Sequence, residues 1–206
     1  MRDEETGSFW QQVTGRAIAG PMQGASLELA SVDEVSLAVF RQEWPQGAVL
    51  APEPAYLSRY ARTDWEQRML KTPTVMDFPG SGLDARELVF GVTVGKASRA
   101  YVATRLLRGK VVQDRIGDTP VVLMTGPDGV SVRAFVSRVG EAETQFFLGP
   151  DKEWSLLDSA TASRWDFRGC AVSGAARGTC LEPVGALKDY WFDWRNYHPD
   201  TTVYGR

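Results

Sequence analysis

Soft metal ligands are scarce in this sequence, with two cysteines and one histidine among 206 residues. That scarcity excludes a disulfide-rich scaffold and a conventional zinc finger. No apolar run approaches the ~20 residues needed to cross a bilayer as a helix, so no membrane span is expected. Charge of one sign is missing as well. The net charge is −3 with arginine and lysine spread evenly, whereas a nucleic-acid binder carries a basic patch or stripe. The opening Met1-Arg2-Asp3-Glu4-Glu5 is acidic and lacks an apolar stretch, so it does not read as a signal peptide. What is present is ordinary globular composition, 43% apolar and 24% charged, at a length that buries a core without staples. Seven tryptophans predict heavy aromatic packing.

The most informative pattern is an internal repeat. Residues 3–51 and 158–205 align with a single-residue slip. Asp3, Thr6, Ser8 and Trp10 recur as Asp158, Thr161, Ser163 and Trp165. Gly15, Ala17, Gly20, Gly24, Leu27 and Glu28 recur as Gly169, Ala171, Gly174, Gly178, Leu181 and Glu182. Arg41, Pro45 and Val49 then match Arg195, Pro199 and Val203. Retained glycine marks special backbone angles and retained tryptophan marks buried bulk, so the pattern implies a shared backbone path rather than a shared chemistry.

Each copy reads as a hairpin, a helix and a short strand. In the second copy, 164–173 and 178–184 are strand-like around a turn at 174–178; the first copy has its turn at 20–24. The first helix is expected to open at Ser31, with Glu34 completing a capping box. Leu37, Phe40 and Trp44 share one helical face, the positions filled by Trp191, Trp194 and His198 in the second copy. Pro45 and Pro199 end the helices. Between the copies, 88–94 and 97–103 flank a Gly95-Lys96 turn, and 110–113, 120–124, 130–136 and 144–148 read as further strands. A proline-bearing connection over 52–84 (Pro52, Pro54, Pro73, Pro79) has room for a short helix at 63–70. The fold class is mainly β with short helices, arranged as two pseudo-symmetric β units, barrel- or sandwich-like.

Several strings carry a resemblance. Glu5-Thr6-Gly7-Ser8-Phe9-Trp10, Thr14-Gly15-Arg16-Ala17-Ile18-Ala19-Gly20-Pro21 and Trp194-Arg195-Asn196-Tyr197-His198-Pro199-Asp200-Thr201 resemble the domain-of-unknown-function 3179 family of bacteria and archaea. So do Arg99-Ala100-Tyr101 and Val112-Gln113-Asp114. The resemblance implies a unit with a front half, bearing Trp-His-Glu and Cys-Pro-x-Cys motifs, and a back half made of the glycine-rich hairpin and helix. Here the motif places hold Arg108, Gly109, Lys110 and Gly126, Pro127, Asp128, Gly129. A histidine with two cysteines could hold a transition metal or do thiol chemistry; these residues could not. On this reading, 1–51 is the back half of a first repeat, 52–84 a connecting strap and 85–206 a complete second repeat, all packed as one globular unit. The first front half would lie ahead of Met1. Export is implied by the resemblance alone.

Among candidate sites, Arg99, Tyr101, Asp114 and Arg115 form the best polar cluster, to be read either as a binding face or as a salt-bridged strand face. His198, standing where the other copy has Trp44, is expected to pack and cap rather than ligate. Cys170 and Cys180 are centred on position 175 inside the turn, which makes them antiparallel neighbours and, in oxidised material, a disulfide. Arg16 and Ser26 are their counterparts. No metal site, cofactor or catalytic constellation is expected, and whether the chain is an enzyme stays open. Two functions follow: a non-catalytic structural or interaction domain, or a fragment of a metal- or thiol-dependent protein whose active half lies upstream. Partner readings are a homodimer or association with the missing front half, without nucleic acid.

Overall fold

The computed structural model describes residues 1–28, 32–74, 78, 82–150 and 152–205. In chain order its strands are β1 Phe9–Trp10, β2 Ala17–Ala19, β3 Leu88–Val94, β4 Ala97–Val102, β5 Val111–Ile116, β6 Thr119–Thr125, β7 Val132–Val136, β8 Arg138–Val139, β9 Ala142–Glu143, β10 Phe146–Leu148, β11 Leu156–Asp158, β12 Arg164–Trp165, β13 Ala171–Ser173, β14 Pro183–Val184, β15 Ala186–Tyr190 and β16 Thr202–Val203. The helices are α1 Leu37–Glu43, α2 Trp65–Met69, α3 Ala103–Gly109 and α4 Trp191–Tyr197, with a 3-10 turn at Pro54–Arg59.

The fold is mainly β, built from several small sheets that do not close into a barrel, which corrects the barrel alternative. One sheet runs β15-β3-β4-β16 and another β14-β7-β6-β5. The segment Val121-Val122-Leu123-Met124 of β6 is fully buried on both faces, as expected for a continuous apolar run in the middle of a sheet stack. Its side chains alternate between two cores. Val121 and Leu123 meet Phe90, Val92 and Tyr101 of the β3–β4 hairpin. Val122 and Met124 meet Phe146, Leu156 and Trp165 of the β10–β13 sheet. The outer face of β3–β4 forms a third core, in which Val89 and Ala100 pack with Trp191 and Trp194 of α4.

Two short hairpins share a register. In β1–β2, Phe9 lies opposite Ala19 and Trp10 opposite Ala17, with a slip between Phe9 and Trp10. In β12–β13, Arg164 faces Ser173 and Trp165 faces Ala171, with the same slip. Each hairpin is pinned by a carboxylate in the preceding turn. Asp3 accepts the Thr6 backbone N–H at 2.5 Å and the Trp10 indole N–H at 2.7 Å. Asp158 accepts the Thr161 N–H at 2.5 Å and the Trp165 indole at 2.9 Å. Ser8 and Ser163 then accept the backbone N–H of Met22 and Ala176, at 3.0 and 2.9 Å. Only glycine fits at Gly20 and Gly174: φ is +97° and +90°, and a Cβ would sit 2.7 and 2.6 Å from the serine Cα.

Local expectations needed correction. The strand expected over 164–173 is two short strands folded on each other. Asp166 accepts the Cys170 N–H at 2.9 Å, and Gly169 has φ +77°. The signal was present as Asp-x-x-Gly, a standard turn pattern. Helix α1 is capped by Ser36, whose hydroxyl accepts the Val39 N–H at 3.3 Å. Ser31 lies outside the described residues, and Glu34 instead approaches Lys188 at 3.5 Å. The shared face of Leu37, Phe40 and Trp44 is not the side that enters the core: Val39 is the buried residue, while Leu37 and Trp44 are 48% and 60% exposed. Among the described residues, 45–51, which align in sequence with 199–205, hold no strand where 199–205 holds β16. Helix α3 went unforeseen, because in so short a segment only Ala103 and Leu106 are buried. Pro79 falls outside the described residues.

Candidate functional site

The polar cluster sits where the two larger sheets meet. Strand β4 presents Arg99 and Tyr101, and β5 presents Asp114. Arg99 Nη1 donates to both Asp114 oxygens, at 2.7 and 2.9 Å. The Tyr101 hydroxyl donates to Asp114 Oδ2 at 2.7 Å. The backbone N–H of Arg115 donates to Oδ1 at 2.7 Å, so both carboxylate oxygens are saturated. Arg99 Nε is taken by Thr202 Oγ1 at 2.9 Å, which fastens β16 to β4. Side-chain exposure is 28% for Arg99 and 10% for Asp114. Burial raises the Tyr101 pKa, and its bond to Asp114 raises it further, so the phenol stays protonated as a donor.

Arg115 does not join its three companions. Its guanidinium turns outward, donating to Asp118 O at 2.9 Å and pairing with Glu143 at 2.5 Å. It rims a depression of about 290 Å³, also lined by Gln113, Asp114, Glu143, Gln145 and Ser159. Gln113 donates to Phe146 O at 2.7 Å, while its Oε1 is buried with no partner among the described residues.

The two stretches in which the resemblance implies a soft ligand set do come together, because the Thr125 N–H bonds Lys110 O at 2.7 Å. At those places stand Gly109 and the turn Gly126-Pro127-Asp128-Gly129. Asp128 is occupied by the Ser131 backbone N–H at 3.0 Å and the Ser131 hydroxyl at 2.5 Å. A Cβ on Gly126 would lie 2.8 Å from the Phe167 ring, so that position has no room for a larger side chain unless Phe167 moves. Among the described residues, no three His, Cys, Asp or Glu side chains gather as a metal-holding group.

Cys170 and Cys180 face each other as a bridge pair and are joined by a disulfide, with Cα atoms 4.0 Å apart. Arg16 and Ser26 form the corresponding bridge pair in the other hairpin. His198 ends α4, its ring stacked 3.9 Å from that of Trp194 and its backbone N–H donated to Trp194 O. Burial lowers its pKa.

The most heavily used buried cation was missed by sequence reasoning. Arg133, on β7 with its side chain 7% exposed, donates twice to Glu43, at 2.6 and 2.8 Å, and to Asp33 at 2.7 Å. It also lies over the Phe167 ring at 4.6 Å. Nothing local announces it, since its partners stand 100 and 90 residues away.

Among the described residues no helix is long and apolar enough to cross a membrane. No curated protein and no solved structure matches the sequence. One family model does match, over residues 1–201, and the chain belongs to that family of proteins of unknown function, DUF3179.

Proposed function

We propose that this chain is a non-catalytic structural or interaction domain, built on two copies of one hairpin–helix unit. The observation that carries the reading is the closure of its best polar cluster. Every acceptor site of Asp114 in use is filled by Arg99, Tyr101 and Arg115, and the cluster ties β4, β5 and β16 together. Groups held for chemistry keep a donor, acceptor or nucleophile free for substrate; here both Asp114 oxygens and the Tyr101 hydroxyl are spent within the cluster, and Arg99 Nη1 and Nε on Asp114 and Thr202. The duplication is supported by the shared slip in β1–β2 and β12–β13, the matched Asp3 and Asp158 networks, and the matched helix ends. The C-caps Trp44 and His198 have φ −128° in both cases, with ψ 71° and 69°. The disulfide fits an oxidising compartment.

Asp114→Asn tests the assignment. A structural role predicts a loss of about 1–3 kcal/mol in equilibrium denaturation, because a charge-assisted network is broken inside the fold. Residues kept for catalysis or binding are often neutral or stabilising when replaced. An Asp114→Asn variant as stable as the parent would therefore overturn the reading.

A further inference from the structure

Helices α1 and α4, seven residues each, occupy corresponding places in the two copies, but only one of them is covered. In α4, Trp191 and Trp194 are each 2% exposed against Val89 and Ala100. The covering sheet is shaped for them: a Cβ on Gly91 would lie 2.3 Å from the Trp194 ring. The chain entering β3 also supplies two backbone carbonyls. Trp191 N–H donates to Glu87 O at 2.8 Å, and Phe192 N–H to Ala85 O at 3.0 Å. Just ahead of α4, β15 pairs with β3 over five residue pairs, from Ala186 opposite Val92 to Tyr190 opposite Leu88.

In α1 the corresponding residues are Leu37 and Phe40, followed by Trp44 at the helix end. Leu37 and Trp44 are largely exposed and Phe40 is partly so. Residues 32–36 pair with no strand among the described residues. The backbone N–H groups of Leu37 and Ala38 have no partner among them. Yet α1 is firmly placed, because its opposite side carries Val39 into the core and Glu43 onto Arg133. The bare face is continuous with that established contact.

The geometry points to a docking surface for a β-hairpin partner, formed by Leu37, Phe40, Trp44 and the 32–36 segment. The partner presents an antiparallel strand pair with a glycine against Phe40. It adds its first strand beside 32–36, as β3 does beside β15, which is β-augmentation with a helix laid across it. The inference rests on the duplicated-unit reading above.

The test has two arms, each using the full chain. In the first, a peptide of residues 86–102 is cyclised as a hairpin and added to the protein. In the second, residues 85–157 are fused by a flexible linker ahead of Met1. Hydrogen exchange read by mass spectrometry should show amides in 32–44 slowed at least tenfold in either arm. Phe40→Asp in the full chain, or Gly91→Leu in the peptide, should abolish the effect. Unchanged exchange over 32–44 in both arms overturns the proposal. So does protection that appears instead at 186–203. Light scattering closes the remaining route: a dimer of the unmodified chain that Trp44→Asp converts to monomer would assign the face to a second copy. A negative result here, alongside a destabilised Asp114→Asn variant, removes the docking surface and leaves the scaffold reading standing.

Discussion

Helices α1 and α4 have the same length, the same end geometry and opposite buried sides. Helix α4 buries Trp191 and Trp194 and leaves Asp189 and Asp193, just before and within it, only partly covered. Helix α1 does the reverse. Val35 and Val39, at the positions of Asp189 and Asp193, pack into the core with Phe135 and Trp165, and the Leu37 face stays bare. An amphipathic stripe states which side of a helix prefers to be covered. Which side is covered depends on the surface available: α4 has β3–β4 beside it, whereas α1 is drawn to β7 by Arg133. The ion pairs of Arg133 and the burial of Val39 outweigh the apolar face, which stays in solvent. Exposed apolar residues continue beyond it at Val49, Tyr56, Trp65 and Leu70.

The comparison breaks most readily at the tryptophans. Trp194→Ala should cost about 3–5 kcal/mol, because a fully packed ring leaves a cavity against Gly91. Trp44→Ala should change stability by no more than about 0.5 kcal/mol. Urea denaturation of both variants is the measurement, and similar losses would show that the two helices are covered alike. Next comes the anchor of α1. Arg133→Ala strips a buried cation from Glu43 and should cost about 3 kcal/mol, with faster hydrogen exchange over 37–43.

The two hairpins offer a second pair. Asp158→Ala leaves the buried Trp165 indole and Ser163 N–H without partners, at about 2–3 kcal/mol. Asp3→Ala, on an exposed turn, should cost less by the same denaturation measurement. In Asp158, burial pushes the pKa up, but bonds from Thr161 and Trp165 outweigh it and hold the carboxylate below its usual range. In Asp3 the Trp10 indole leads the lowering, to about 2. Reduction of the disulfide follows, since Arg16 and Ser26 manage the same bridge position without one. Its loop, closed across a separation of 10 residues, predicts a loss of about 2–3 kcal/mol on the chain-entropy model. A Cys170→Ser/Cys180→Ser variant compared with the oxidised parent measures it.

A smaller effect concerns the uncovered side of α4. Burial, and then the Asp193 charge, raise the Asp189 pKa to about 6. A raised carboxylate binds its proton more tightly in the folded state, so its ionisation costs stability above pH 6, and below the unfolded value near 4 it has no effect. Asp189→Asn should therefore stabilise the protein at pH 7 by about 1 kcal/mol, allowing for solvent screening. The gain should fade as pH falls from 6 to 4. A gain that persists at pH 4 would assign it to packing instead.

Much of the local path was legible because it rests on short-range chemistry. The Gly95-Lys96 turn, the β3 and β6 runs and the helix at Trp65–Met69 were readable from turn residues and apolar period. The Cys170–Cys180 register could be counted from its turn. Within the cluster, Arg99 and Tyr101 alternate on one strand, so their shared side could be read, but nothing local placed Asp114 between them or turned Arg115 away.

By itself the sequence determined the hairpins, since an aspartate, a threonine, a serine, a tryptophan and a glycine at set spacings satisfy one another within about twenty residues. It determined likewise that α1 and α4 would each carry an apolar face. Only the tertiary structure decided which face meets the core, because that choice is made by Arg133 and by the β3–β4 sheet, partners distant along the chain. Local hydrogen bonds define an element; long-range burial and buried charge decide how it lies.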